Sequence, residues 1–138
     1  MKIICKVIVL GFSIWSLSPL TALATGKATS KATVEVTALG QPDSRVQFTF
    51  KTVPSGDLVV NKDGPWKLEI LSSGKIQFDK KELKRADWKE DISGFSVTSA
   101  PAKIKSEKIK YKLVAFVCTK DKSQCFREVV QGDANVKW

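Results

Sequence analysis

Residues 109–131, with the sequence IKYKLVAFVCTKDKSQCFREVVQ, decide the fold. Apolar and polar side chains alternate along residues 109–113, an apolar run continues to Cys118, a polar segment follows, and a second apolar run begins at Cys125. A period of two is typical of a strand that buries one face, and two such runs around a short turn predict an antiparallel hairpin. The odd-numbered residues from Ile109 to Val117 are all apolar, so they are expected to face the core.

The two cysteines of this hairpin set its register. If Cys118 pairs with Cys125 across the turn, Phe116 lies opposite Arg127 on the outer face. Glu128 then falls on the apolar face, which predicts a bulge or a sheet edge at that position. The cysteine pair is therefore expected on the outer face of the hairpin, beside Phe116, at the rim of its sheet and away from the main core.

Short apolar segments divided by turn residues also make up the rest of the chain. Pro54-Ser55-Gly56 and the sequence NKDGP at residues 61–65 are examples of such turns. Seven or eight short strands in this length predict an all-β fold, an immunoglobulin-like antiparallel β-sandwich with a C-terminal cysteine hairpin. The expected strands are residues 34–39, 46–51, 57–60, 66–71, 75–78, 95–98, 109–118 and 125–131.

One charged segment departs from this pattern. Residues 79–91, DKKELKRADWKED, are rich in charged and helix-forming residues, so they predict a short helix or a long exposed loop. Trp88 is the large apolar side chain in this segment, and such a ring is expected to cover another part of the molecule.

The first 24 residues have the pattern of a secretory signal peptide. Lys2 and Lys6 begin it, an apolar run follows, and small residues before Thr25 provide a cleavage site at Ala24. The expected organisation is therefore a signal peptide at 1–24, a flexible lead-in at 25–32 and one domain at 33–138. The protein is expected to be periplasmic or secreted, with no integral membrane segment after cleavage.

Composition excludes several classes of function. The chain contains no histidine, which removes the serine and cysteine nucleophile systems that use an imidazole base. Two exported cysteines cannot complete a four-ligand zinc site, so neither a metal nor a cofactor is expected.

The formal net charge is +9, and loss of Lys2 and Lys6 with the signal leaves about +7, which favours anionic surfaces as partners. Nucleic acid is not an expected partner of an exported chain, and a monomer is expected.

Cys118 and Cys125 are the only thiols that remain after export, and an oxidising compartment favours a disulfide between them. Two interpretations stay open. The bond could simply staple the hairpin, since closing so short a ring is worth about 2.5 kcal/mol. An accessible bond at a sheet rim could instead exchange with other thiols.

Two segments of the chain resemble a known family. NKDGPWKLEI at residues 61–70 and YKLVAFVCTKDKSQCFREVV at residues 111–130, together with the order of strands, resemble the amino-terminal periplasmic domain of the thiol:disulfide interchange protein DsbD. The resemblance implies an immunoglobulin-like sandwich whose hairpin cysteines relay reducing equivalents. Cys118 and Cys125 would then be the exchanging pair, and thioredoxin-like or other periplasmic thiol proteins would be the partners.

The same resemblance implies an aromatic cap over the cysteines. Trp88 matches that role by its distance upstream, with Asp87 or Glu90 as acidic neighbours. The protein is then a redox-partner domain that depends on another protein for electrons. The alternatives are a non-catalytic secreted β-sandwich that binds a partner and has a purely structural disulfide, and an assembly module that offers an edge strand to another chain.

Overall fold

A computed structural model of the protein describes residues 30–138. The predicted signal peptide and most of the predicted lead-in lie outside this part of the chain. The strands are β1 (Ala32–Gly40), β2 (Val46–Pro54), β3 (Val59–Val60), β4 (Lys67–Ser72), β5 (Glu82–Lys84), β6 (Trp88–Lys89), β7 (Gly94–Thr98), β8 (Ser106–Cys118) and β9 (Cys125–Lys137), with a turn of 3-10 helix at Arg85–Asp87.

The strands form two antiparallel sheets. Sheet A has the order β1-β2-β7-β6. In sheet B, β8 is central: β9 pairs along one of its edges, β3 and β4 pair along the other, and β5 pairs with β4. The predicted all-β antiparallel sandwich with a C-terminal cysteine hairpin is confirmed.

The core lies between the inward faces of the two sheets, as the period of two requires. On β8 the odd-numbered residues from Ile109 to Val117 are all buried, and on β2 Val46, Phe48 and Phe50 are buried opposite them. Aromatic rings join the two sheets: Phe50 meets Tyr111 edge to face with ring centroids 5.4 Å apart. The predicted core face of residues 109–117 is therefore correct.

The β8–β9 pairing follows the predicted register over its whole length. Phe116 lies opposite Arg127, and pairing runs without interruption from Ser106–Lys137 to Cys118–Cys125. The bulge predicted near Glu128 is wrong, whereas the alternative of a sheet edge is correct because β9 is the outermost strand of sheet B. At an edge the Glu128 side chain stays partly exposed, so its charge needs no bulge.

Residues 75–78 do not form the predicted strand. Gly74 has a positive φ of 55°, and the Ser73 hydroxyl donates to the Ile76 carbonyl at 2.7 Å, so the chain turns sharply here. Ile76 and Phe78 are still buried, but pairing is limited to one bridge between Phe78 and Ser99. Apolar alternation in this segment marks burial in a turn, which the same pattern cannot distinguish from a strand.

Residues 79–91 form neither the predicted helix nor a long loop. They contain β5, the 3-10 turn and β6, and they cross from sheet B to sheet A because β5 pairs with β4 and β6 pairs with β7. Leu83 and Trp88 are both buried. Trp88 lies five positions after Leu83, a spacing that does not place two side chains on one face of an α-helix. Burial of both therefore favours two short strands.

Candidate functional site

Cys118 and Cys125 form a disulfide at the tip of the β8–β9 hairpin, with their Cα atoms 4.0 Å apart. The Thr119 N–H donates to the Gln124 carbonyl at 2.9 Å, so the pair next to the cysteines is a hydrogen-bonded one. In an antiparallel ladder the two kinds of pair alternate, and the cysteines occupy a non-hydrogen-bonded pair. Side chains approach most closely in such pairs, which is why the alternation of this hairpin brings the sulfurs together.

The two halves of the disulfide differ in exposure. Cys118 is 1% exposed because it lies between two strands, opposite Val59 of β3 on one side and Cys125 on the other. Cys125 begins the edge strand and is exposed. The expectation that the pair lies at the rim is therefore met by Cys125, whereas Cys118 is buried because β3 covers it. An incoming thiolate reaches Cys125 more readily than Cys118.

The turn between the cysteines is held by one carboxylate. Asp121 Oδ1 accepts hydrogen bonds from the Thr119 hydroxyl at 2.6 Å, the Ser123 N–H at 3.0 Å and the Ser123 hydroxyl at 2.8 Å. These bonds lower the pKa of Asp121 to about 2. Lys122 adopts a positive φ of 57°, which completes the reversal of the chain. The tip is thus a preorganised turn with a fixed negative charge.

An open cleft of about 400 Å³ adjoins this tip. Its walls come from the segment before β3 and from the hairpin turn, and Lys120 Nζ lies 4.0 Å from Asp57 Oδ1 across it. The lining residues are Asp57, Leu58, Thr119, Lys120, Asp121 and Ser123. Leu58 precedes Val59 and Thr119 follows Cys118, so the cleft opens directly beside the buried half of the disulfide.

Phe116, two residues before Cys118 on the same outer face, is covered by the turn at residues 61–65. The Asn61 N–H donates to the Phe116 carbonyl at 2.8 Å, and the Phe116 ring fills the space beside Gly64. Trp66 lies edge-on to this ring with centroids 6.1 Å apart. Residues 61–66 thus pack against the strand that carries Cys118.

Trp88, predicted as the cap, is 9% exposed and belongs to the hydrophobic core. Its ring stacks on Trp66 with centroids 5.2 Å apart, and the Arg85 guanidinium lies 5.5 Å from the ring centroid on its face. Trp88 is linked to the cysteine strand through Trp66 and Phe116. Direct shielding of the disulfide by Trp88 stays a prediction.

The two predicted acidic neighbours are held by lysines. Asp87 accepts from Lys80 Nζ at 2.6 Å and from the Lys84 N–H at 2.9 Å, and the Lys80 contact is the main cause that lowers the pKa of Asp87. Glu90 pairs with Lys62 at 3.3 Å, which ties residues 79–91 to the turn over Phe116. Both carboxylates are therefore placed around the Trp88 segment and its neighbouring turn, and their role in exchange stays a prediction.

Sequence reasoning missed the cover over Cys118. Val59 belongs to a strand of only two residues, and its partner lies 59 positions later in the chain. The short apolar run before the NKDGP turn was the available signal, but such a run does not indicate which strand it joins. The cleft at Asp57 and Leu58 follows from the same pairing and was missed for the same reason.

Comparison with protein-family models, with curated proteins and with solved structures finds no match to this chain. Within residues 30–138 no helix is long and apolar enough to cross a membrane. The same residues contain no group of three or more cysteine, aspartate or glutamate side chains placed to hold a metal ion. The cysteine hairpin is therefore the part of the described chain whose geometry points to a function.

Proposed function

We propose that this protein is an exported thiol–disulfide exchange domain that passes two electrons through the Cys118–Cys125 pair. The observation that carries the proposal is the difference in exposure between the two cysteines, since Cys125 is exposed and Cys118 is 1% exposed. Exchange needs one sulfur that a partner can reach and a second that is kept as the leaving and resolving group. The resemblance to the amino-terminal domain of DsbD supports the same pair.

In the proposed reaction a thiolate of a partner attacks Sγ of Cys125. A bond forms between the partner's sulfur and Cys125, the Cys118–Cys125 bond breaks, and the electron pair stays on Cys118 as a thiolate that takes a proton from solvent. A second thiolate of the partner then attacks the partner's own sulfur in the mixed disulfide and releases Cys125. The partner leaves with a disulfide, and the domain keeps two thiols.

The same steps in reverse reduce a disulfide of a downstream protein. The electrons reside on sulfur throughout, so the scheme uses no cofactor. The proposed partners are thioredoxin-like or other thiol proteins of the periplasm, where the predicted signal peptide would deliver the chain. The cleft beside Thr119 and Leu58 is open to solvent next to the disulfide, which gives a partner room to approach. Trp88, Asp87 and Glu90 are proposed to hold the turn at residues 61–65 in place over the strand that carries Cys118.

The second candidate is a secreted binding module with a purely structural disulfide. Burial of Cys118 beside Val59 favours it, because a bond that ties the edge strand β9 to the central strand β8 also stabilises the sandwich. Its stabilisation is about 2.5 kcal/mol in the chain-entropy model. On this proposal the basic surface, and not the sulfurs, contacts the partner.

The reduction potential distinguishes the two candidates. In glutathione or dithiothreitol buffers, a value of about −200 mV is expected for an exchanging pair, and a value below about −300 mV marks a structural bond.

A trapping experiment gives the order of attack. Cys118→Ser leaves the exposed Cys125 free and is expected to capture a thioredoxin-like protein from a periplasmic extract in greater yield than Cys125→Ser. Absence of a mixed disulfide with both variants contradicts the exchange function.

A further inference from the structure

Strand β9 leaves one of its edges without a hydrogen-bonded neighbour among the described residues, since it pairs only with β8. Two backbone bonds show which residues face that edge. The Trp138 N–H donates to the Lys105 carbonyl at 3.1 Å, and the Gln124 carbonyl accepts from Thr119. Even-numbered residues therefore bond to β8, and the odd-numbered residues of β9 direct their N–H and C=O groups outward.

The side chains at these odd-numbered positions lie on the outer face and are exposed. Edge strands are commonly protected from further pairing by charged side chains, above all lysine, by proline or by a bulge. Between Cys125 and Asn135 the outward-directed positions contain neither lysine nor proline, and the β8–β9 pairing has no bulge. Val129, 42% exposed, lies near the middle of this stretch. The backbone of this edge is therefore unpaired, and its charged outward-directed positions in this stretch, Arg127 and Asp133, have opposite signs.

We propose that this edge pairs antiparallel with the same edge of a second copy of the chain, around a two-fold axis at Val130. Backbone hydrogen bonds across such an axis must join odd-numbered residues of one copy to odd-numbered residues of the other. Moving from one allowed register to the next therefore shifts every residue's partner by two positions. The register centred on Val130 places Arg127 opposite Asp133 of the second copy, and the axis repeats that pair. A shift of the axis to Val129 or Gln131 loses both pairs.

The contacts within one copy are compatible with this arrangement. Lys108 Nζ lies 2.8 Å from one oxygen of Asp133, Oδ2, which leaves Oδ1 for a guanidinium. Arg127 lies opposite Phe116 on β8, has no ion pair among the described residues and is exposed. On the other face the register sets Glu128 opposite Gly132 of the second copy, where no side chain collides with it. The monomer expected from the sequence is the alternative that the experiment tests.

Sedimentation velocity of the purified protein over a range of concentrations tests the proposal. The wild type is expected to shift from monomer to dimer as its concentration rises. Arg127→Asp and Asp133→Arg each turn both attractive pairs into repulsive ones, so each is expected to weaken the dimer by roughly tenfold or more. The double variant Arg127→Asp/Asp133→Arg restores opposite charges and is expected to recover the dimer.

A backbone variant provides a test that does not depend on charge. Val129→Pro removes an N–H that faces the free edge, where proline is tolerated, and is expected to abolish the dimer while the thermal unfolding temperature stays close to that of the wild type. A wild type that remains monomeric at all concentrations overturns the proposal. A dimer that is insensitive to both single charge reversals, or a double variant that stays monomeric while folded, overturns the proposed register.

Discussion

The ring of Phe116 occupies the space in which a residue larger than glycine at position 64 would place its Cβ atom. Gly64 is buried, and the turn that contains it is hydrogen-bonded to the strand of Cys118 through the Asn61 N–H and the Phe116 carbonyl. The glycine in NKDGP is thus required by a close approach between a turn and an aromatic ring, because any side chain there would displace one of the two.

Gly64→Ala is expected to lower the free energy of unfolding by about 1–3 kcal/mol, because the added methyl group collides with a ring packed against Trp66. Urea denaturation measures the loss. Phe116→Leu provides the matched partner: in the double variant the smaller side chain gives the methyl group room, so the two costs should not add. Full additivity would contradict the proposed collision.

The pH dependence of the hairpin tip follows from Asp121. Its pKa is lowered to about 2 in the folded protein by bonds from Thr119 and Ser123, against 3.8 for an ordinary aspartate. A lowered pKa means that this stabilisation is complete above about pH 4 and is lost as the pH falls toward 2. The difference in thermal stability between wild type and Asp121→Asn should therefore narrow from pH 5 to pH 2. A constant difference would show that the carboxylate does not hold the turn.

The hairpin was predictable because its determinants are local. The period of two assigns each residue from Ile109 to Val117 to a face, and the assumed pairing of Cys118 with Cys125 across the turn sets the register. The pairing of Phe116 with Arg127 then follows without further information. No comparable rule applies to a strand whose partner is distant in the chain.

The burial of Cys118 depends on such a distant strand. Val59 pairs with it in sheet B although the two residues are 59 positions apart in the chain. The segment containing Leu83 and Trp88 differs from its prediction for a related reason: its charges favour a helix locally, but burial of two side chains in different sheets outweighs that preference. The sequence could therefore identify the cysteine pair without showing that only one of the two is exposed.

Thr52 offers a test of polar burial in the core. Its side chain is 1% exposed, and Oγ1 has no hydrogen-bond partner among the described residues. Thr52→Val replaces the hydroxyl with a methyl group of similar shape, so the free energy of unfolding should stay equal or rise by up to about 1 kcal/mol. Thr52→Ser keeps the hydroxyl and removes the methyl group, and should lower it by about 1 kcal/mol. Guanidinium denaturation of both variants gives the comparison, and a clear loss with valine would show that the hydroxyl is bonded.

Trp88→Ala tests the predicted cap over the disulfide. Removal of a ring stacked on Trp66 should lower the free energy of unfolding by about 3–5 kcal/mol, and, if Trp88 shields the cysteines, it should also speed reduction of the disulfide by dithiothreitol. Phe78→Ala is the control for a general loosening of the fold. Phe78 packs on Phe48, and Phe48 contacts Trp138, which lies at the end of β9 opposite to Cys125. Reduction that is faster only in Trp88→Ala supports the cap, because both variants lose a buried ring. Equal rates in the two variants would assign Trp88 to the core alone.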